Sequence, residues 1–170
     1  MGIRYYAYAF DGDVTDLVLA DPRRFLSSDP LADAWGLESA GGVTIAAFEQ
    51  SVPECDMLYL DKAWRFLQVC TGPLTPGAEA RPAFRMFEGQ VTMHHDGWEP
   101  WLRVLTPVDV AVVSQDLDRI SDADMRLCLG HMPYTDQQSD FRYTSQYLQR
   151  ARSFAANLRA AGRGMVYLIG

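Results

Sequence analysis

Asp61-Lys62-Ala63-Trp64 holds the only lysine of a chain that otherwise uses fourteen arginines. A lysine ammonium is a compact charge whose pKa moves readily on burial, and both proton transfer and Schiff-base chemistry exploit that. With Asp61 beside it and Trp64 as a flat apolar wall, the stretch could line a ligand pocket. The same residues also describe the start of a helix. On that reading Asp61 favours the positive end of the helix dipole, Lys62 stays in solvent and Trp64 anchors the core. An arginine-biased chain can place a single lysine anywhere, so the packing interpretation leads.

His94, His95 and Asp96 are consecutive, and His131 is the one other histidine. One imidazole of the run, His131 and a carboxylate would make a metal set. Adjacent residues on a strand point to opposite faces, however, so both members of the pair reach one ion only through a turn. Asp96-Gly97 supplies turn chemistry, and no standard zinc spacing is present. The expectation is a polar turn flanked by Trp98 and Trp101, with no metal and no cofactor. Asp116 with Asp118, and Asp122 with Asp124, lie near helix ends, where capping and solvation account for them. Ser114, Ser121 and Ser145 lack a nucleophile-elbow context, and Gly41-Gly42 lacks the phosphate-binding glycine patterns.

The surroundings narrow the function classes. The 170 residues carry a formal charge of −7 with a pI near 4.8, which repels nucleic-acid backbones and anionic membranes. Residues 1–50 hold eight acids and three bases. From Arg142 to Arg163 there are five arginines and no acid, a run that reads as an outer helix face rather than an anion stripe. Cys55, Cys70 and Cys128 are odd in number and lack C-x-x-C spacing, which argues against a disulfide framework and a cysteine zinc site. Cys70 is expected to be buried as a small hydrophobe. The first residues show no signal-peptide pattern and no run reaches the length of a membrane span, so a cytoplasmic address follows by elimination.

The elements that would position these side chains can be read in outline. Residues 3–10 alternate aromatic and small side chains and form a first strand. Asp13 is placed to cap a short helix with Val14, Leu17 and Val18, and residues 20–36 read as a loop with helical turns. Residues 39–48 fit a strand or a short helix. Leu60, Ala63, Trp64, Leu67 and Cys70 make one helical stripe, widened by Phe66 and Val69, with Gly72 as a left-handed stop. Thr106-Pro107 starts a helix bearing Val110, Val113, Leu117 and Ile120. Ser121 and Asp124 start another with Met125, Leu127 and Leu129. Residues 130–140 read as a loop. A last helix over about 140–161 buries Phe141, Tyr147, Leu148, Ala151, Phe154, Ala155 and Leu158, and "MVYLI" closes as a strand. The architecture expected is α+β: one domain over 1–170, a small mixed or antiparallel sheet including both terminal strands, and about five helices.

"LDKAW", followed by an apolar helix ending in "TG", resembles the signature of the YfbM-like family, small bacterial proteins classed as a domain of unknown function. The resemblance continues through "LTPVDVAVVSQDLDRISDADMR" and "YLQRARSFAANLRAAGRGMVYLI", covering about residue 56 to the end, and more weakly at "MGIRYYAYAF". "MHHDGWEPWLRV" departs from the family's Gly-rich aromatic stretch, so contacts made there do not carry over. The resemblance implies an α+β fold and a bacterial cytoplasm, and no reaction.

Two functional expectations follow. The first is a non-catalytic binding or protein-interaction module, of a kind that neutralises a basic partner such as a toxin, with no nucleic-acid or membrane partner. The second is a small enzyme with a pocket around Asp61, Lys62 and Trp64, joined by His94 or His95.

Overall fold

The alternation Tyr5-Tyr6-Ala7-Tyr8-Ala9-Phe10 becomes strand β1 (Tyr5–Phe10) in the computed structural model, which describes residues 2–133 and 136–170. Its period of two sends Tyr5 and Ala7 into one core and Tyr6, Tyr8 and Phe10 into another. A strand buried on both faces needs neighbours on both edges. β1 lies between β4 (Met57–Asp61) and β8 (Gly164–Ile169), and β7 (Trp101–Leu105) pairs with the far side of β8. All three pairings are antiparallel, with Tyr5 opposite Ile169. The terminal strands are therefore neighbours in one four-stranded sheet.

One face of the sheet packs against α3 (Trp64–Thr71), α4 (Pro107–Leu117), α5 (Asp122–Gly130) and α6 (Gln137–Ala161) through Trp64, Leu67, Val113, Met125 and Phe154. The other packs against α1 (Thr15–Ala20) and α2 (Pro30–Trp35) through Val18 and Ala34. Two hairpins stand outside the sheet: β2 (Leu37–Ala40) with β3 (Val43–Ala46), and β5 (Thr92–His94) with β6 (Gly97–Glu99). Gly41 and Gly42, at φ +60° and +82°, make the first turn, where two left-handed residues match the twist of the strands. The described residues thus hold an α+β fold with six α-helices, one more than the expected five.

The starts of α4 and α5 follow their sequence signals. Thr106 and Asp109, and Ser121 and Asp124, each form a reciprocal capping box. Elsewhere the details differ from expectation. Leu60 belongs to β4, so the apolar stripe begins in a strand and passes into α3. Asp13 caps nothing, because a tight turn over Gly12–Val14 intervenes before α1. Gly72 is extended, at φ −73° and ψ 179°, and stops α3 without a left-handed residue. Val69 and Leu127 lie on the solvent side. Residues 134 and 135 of the expected 130–140 loop lie outside the described residues.

Two corrections concern the chemistry. Cys70 and Cys128 form a disulfide joining α3 to α5, with Cα atoms 5.3 Å apart, and Cys55 is free and exposed. Spacing along the chain was blind to a pair separated by 58 residues and aligned by helix packing. Asp116 is neither a cap nor solvated. It is buried, and it accepts from Arg81 through Nε (2.9 Å) and a terminal nitrogen (3.0 Å), and from the Ala83 N–H (2.9 Å). No helix among the described residues is long and apolar enough to cross a membrane.

Candidate functional site

A cleft opens where β4, an outer strand of the sheet, meets α6 and the segment 48–54. One part, about 550 Å³, is walled by Trp35, Phe48, Tyr59 and Tyr147, with Arg4 and Asp61 among its polar groups. A second part, about 380 Å³, continues along α6 to Ser153, Phe154 and Asn157. Gln50, Glu54, Tyr59 and Arg150 border both parts.

Local rules bring these side chains together. Tyr59 and Asp61 are two apart on a strand and share a side. Tyr143 and Tyr147 are one turn apart on α6, their rings 4.9 Å apart edge to face. The β2–β3 hairpin returns the chain so that the Phe48 N–H donates to the Trp35 carbonyl at 2.9 Å, and the two rings meet at 5.7 Å. Two non-glycine residues with positive φ, Phe48 at 57° and Asp61 at 47°, both border the cleft. Such backbone costs energy for a side chain as large as Phe and persists where surrounding structure enforces it, often at functional sites.

Asp61 is the hub. Its Oδ1 accepts from Arg4 Nε and from the Tyr59 hydroxyl, each at 3.0 Å, and its Oδ2 accepts from the Tyr143 hydroxyl at 2.8 Å. Tyr59 in turn accepts from the Trp35 indole at 3.2 Å, while the Arg4 guanidinium lies 5.1 Å from the Trp35 ring centroid. Burial alone would raise the pKa of Asp61. The hydrogen bonds from Tyr143 and Tyr59 and the charge of Arg4 outweigh it and hold the carboxyl below the usual aspartate value. Burial pushes the Tyr59 and Tyr143 hydroxyls upward, and their bonds to Asp61 add to the rise. The hub therefore keeps one carboxylate charged and two phenols neutral, all displaced away from neutral pH. An acid–base catalyst gains most when its pKa lies near working pH, and these groups are shifted the other way. The cleft thus offers hydroxyl groups, a charged pair and aromatic walls.

No family model matches this chain, and no curated protein sequence matches it. Among solved structures, the crystal structure of YfbM from Escherichia coli, a protein of unknown function, superposes with a TM-score of 0.59 over 99% of this chain and all of the other, at 17% identity. The fold is YfbM-like. At that identity the likeness concerns the fold, and no residue role passes with it.

The structure separates the residues singled out from sequence. Asp61 is in the cleft. Lys62 is exposed, its side chain lies against Gly2, and only its backbone N–H joins the hub, donating to the Tyr143 hydroxyl at 3.3 Å. Trp64 is buried in the main core, with its indole nitrogen unpaired among the described residues. His94 and His95 are exposed on the β5–β6 hairpin, and His94 Nε2 stands 3.8 Å from Glu99. That hairpin leads into β7, at the sheet edge opposite β4. His131 closes α5, with Nδ1 2.7 Å from the Leu127 carbonyl. The basic run along α6 and just past its end is shared out: Arg150 borders the cleft, Arg152 donates to the Leu117 and Ile120 carbonyls, and Arg163, between α6 and β8, pairs with Asp11 and Asp56. Sequence reasoning missed Arg4, Trp35, Phe48, Tyr59 and Tyr143 as site residues. The period-two Tyr59/Asp61 pair and the four-residue Tyr143/Tyr147 spacing were the available signals.

Proposed function

We propose that this chain is a single-domain, non-catalytic binding module whose recognition surface is the cleft between β4, α6 and residues 48–54. The observation that carries this reading is the hub at Asp61, whose carboxylate accepts from Arg4, Tyr59 and Tyr143 beside the aromatic walls of the cleft. The charge of −7 favours a basic protein partner, such as a toxin to be neutralised, over nucleic acid or an anionic membrane. An enzymatic reading would centre on Lys62, which stands outside the cleft. A cytoplasmic address, expected from the sequence, has to accommodate the Cys70–Cys128 disulfide, since such bonds are rare in that compartment. Rapid thiol trapping in cells would decide the state of the pair.

The test is affinity capture from native lysate at moderate salt, comparing the wild type with Ser153→Trp. Ser153 is an exposed helix position bordering the cleft, so a bulky residue there fills the space without entering the core. A stoichiometric partner retained by the wild type and lost by the variant is the expected result. Equal retention by both would move the interface elsewhere. Turnover of a small molecule that disappears in a normally folded Lys62→Arg protein would replace the reading with catalysis.

A further inference from the structure

Resting on the binding reading of the cleft, we propose that its occupant is an extended, basic peptide segment that adds to the outer edge of β4, pairing with Tyr59 and displacing the Gln50 carboxamide from Met57. The backbone directions support this. The Ala9 N–H donates to the Asp56 carbonyl at 2.9 Å, so Asp56 faces β1. Alternation along the strand turns Met57 outward, Leu58 toward β1 and Tyr59 outward. Met57 confirms the pattern, because its outward N–H donates to the Pro53 carbonyl at 3.0 Å and its outward carbonyl accepts from the Gln50 side chain at 3.0 Å. A glutamine carboxamide has the donor and acceptor chemistry of a peptide group. Gln50 thus holds the place a strand partner would take. The outward N–H and carbonyl of Tyr59 have no partner among the described residues. Unpaired strand edges are the template used in β-strand addition.

The cleft has the dimensions and walls for such a guest. β4 offers five residues, about 16 Å at ~3.3 Å per residue. The bordering stretch of α6, from Gln146 to Asn157, is about 18 Å at ~1.5 Å per residue, enough to flank a guest of that length. Successive side chains of a five-residue guest would point to opposite faces of the sheet, one set toward the Met57 side and the other toward the Phe154 side, while Gln146, Gln149 and Asn157 border its backbone. Charge selects the kind of peptide. Arg4 is paired with Asp61, and Arg150 lies 5.4 Å from the Tyr147 ring centroid with no ion pair among the described residues; Glu49 and Glu54, likewise unpaired, leave the lining with one net negative charge. Lysine or arginine side chains of the guest would answer those two carboxylates.

The experiment selects a random heptapeptide display library on the folded protein, with counter-selection on Ser153→Trp, and measures synthetic hits by fluorescence anisotropy. Enriched sequences should carry Lys or Arg at alternate positions. N-methylation of the alternate backbone nitrogens that face β4 should weaken binding at least tenfold, and methylation of the other set should not. Glu54→Lys should weaken binding severalfold, and the bound peptide should slow hydrogen exchange of the Tyr59 amide. Absence of enrichment over the counter-selection, or affinity indifferent to N-methylation, would overturn the proposal. If a lysate partner were still captured by the wild type and lost by Ser153→Trp, only the peptide assignment would fall. Loss of both results would remove the cleft as the recognition surface.

Discussion

Arg81–Asp116 and Arg4–Asp61 join the same two side-chain types at nearly the same separation, 2.9 and 3.0 Å. Their surroundings differ. Around Asp116, 8% exposed, the further donor is the main-chain N–H of Ala83, so the pair bolts the residues before a tight turn over Pro82–Met86 to α4. The Cys70–Cys128 disulfide borders the same region. Around Asp61, 28% exposed, the further donors are two tyrosine hydroxyls, and the backbone is left-handed. A pair completed by main chain has one arrangement and serves stability. A pair completed by side chains at a cleft can exchange a partner for a ligand and keep its charge compensated.

The largest effect expected from this contrast lies on the sealed side. Cys128→Ala, or reduction of the native protein, opens a cross-link between positions 58 residues apart, which the chain-entropy account values at about 4 kcal/mol. Thermal unfolding with and without reductant should show a drop of that order while capture by the cleft persists. A loss of capture at temperatures where the protein is still folded would mean that the two regions are coupled. Asp116→Ala leaves Arg81 half-buried and uncompensated and should cost about 3 kcal/mol in urea unfolding, again without a specific effect on binding. Asp61→Asn keeps a side chain that tolerates the left-handed backbone but removes the charge opposite Arg4. It should cost about 1–2 kcal/mol, because the pair is partly exposed, and it should weaken binding by more than its effect on stability. The aspartate pKa is lowered in the folded state, so the wild-type pair contributes stability that is full above about pH 4. That contribution is lost as pH falls through the lower folded value. The variant should therefore show a shallower acid limb in the stability–pH profile. Smallest is Phe48→Asn, which should change stability by less than about 0.5 kcal/mol, since asparagine accepts the left-handed conformation that phenylalanine resists. The same substitution should still reduce capture, because the wall facing Trp35 is removed. A large loss of stability would show that Phe48 is packing, not recognition.

The sequence made the local features legible and hid the ones assembled from afar. Capping chemistry marked α4 and α5, alternation marked β1, and the burial of Trp64 followed from its place on an apolar stripe. β4 was hidden because a short strand buried on both faces has no polar alternation, so Leu60 merged with the helical stripe that follows. β7 escaped notice for lack of a clean period. The cleft was hidden for a different reason: Arg4, Asp61 and Tyr143 are drawn together from positions 57 and 82 residues apart. Of the residues singled out for chemistry, Asp61 alone lines the cleft, and its neighbour Lys62 points elsewhere.

The adjacency of β1 and β8 has a consequence for how the protein is made. The two inner strands of the sheet are supplied by residues 5–10 and 164–169, so nearly the whole chain must leave the ribosome before the central pairing can form. Until then an aromatic segment waits with one edge uncovered, a slow, non-local closure that exposes it to other chains. Trimming the C-terminal residues would remove an interior plank rather than a fringe, and would leave Tyr5 and Ala7 without the strand that seals them.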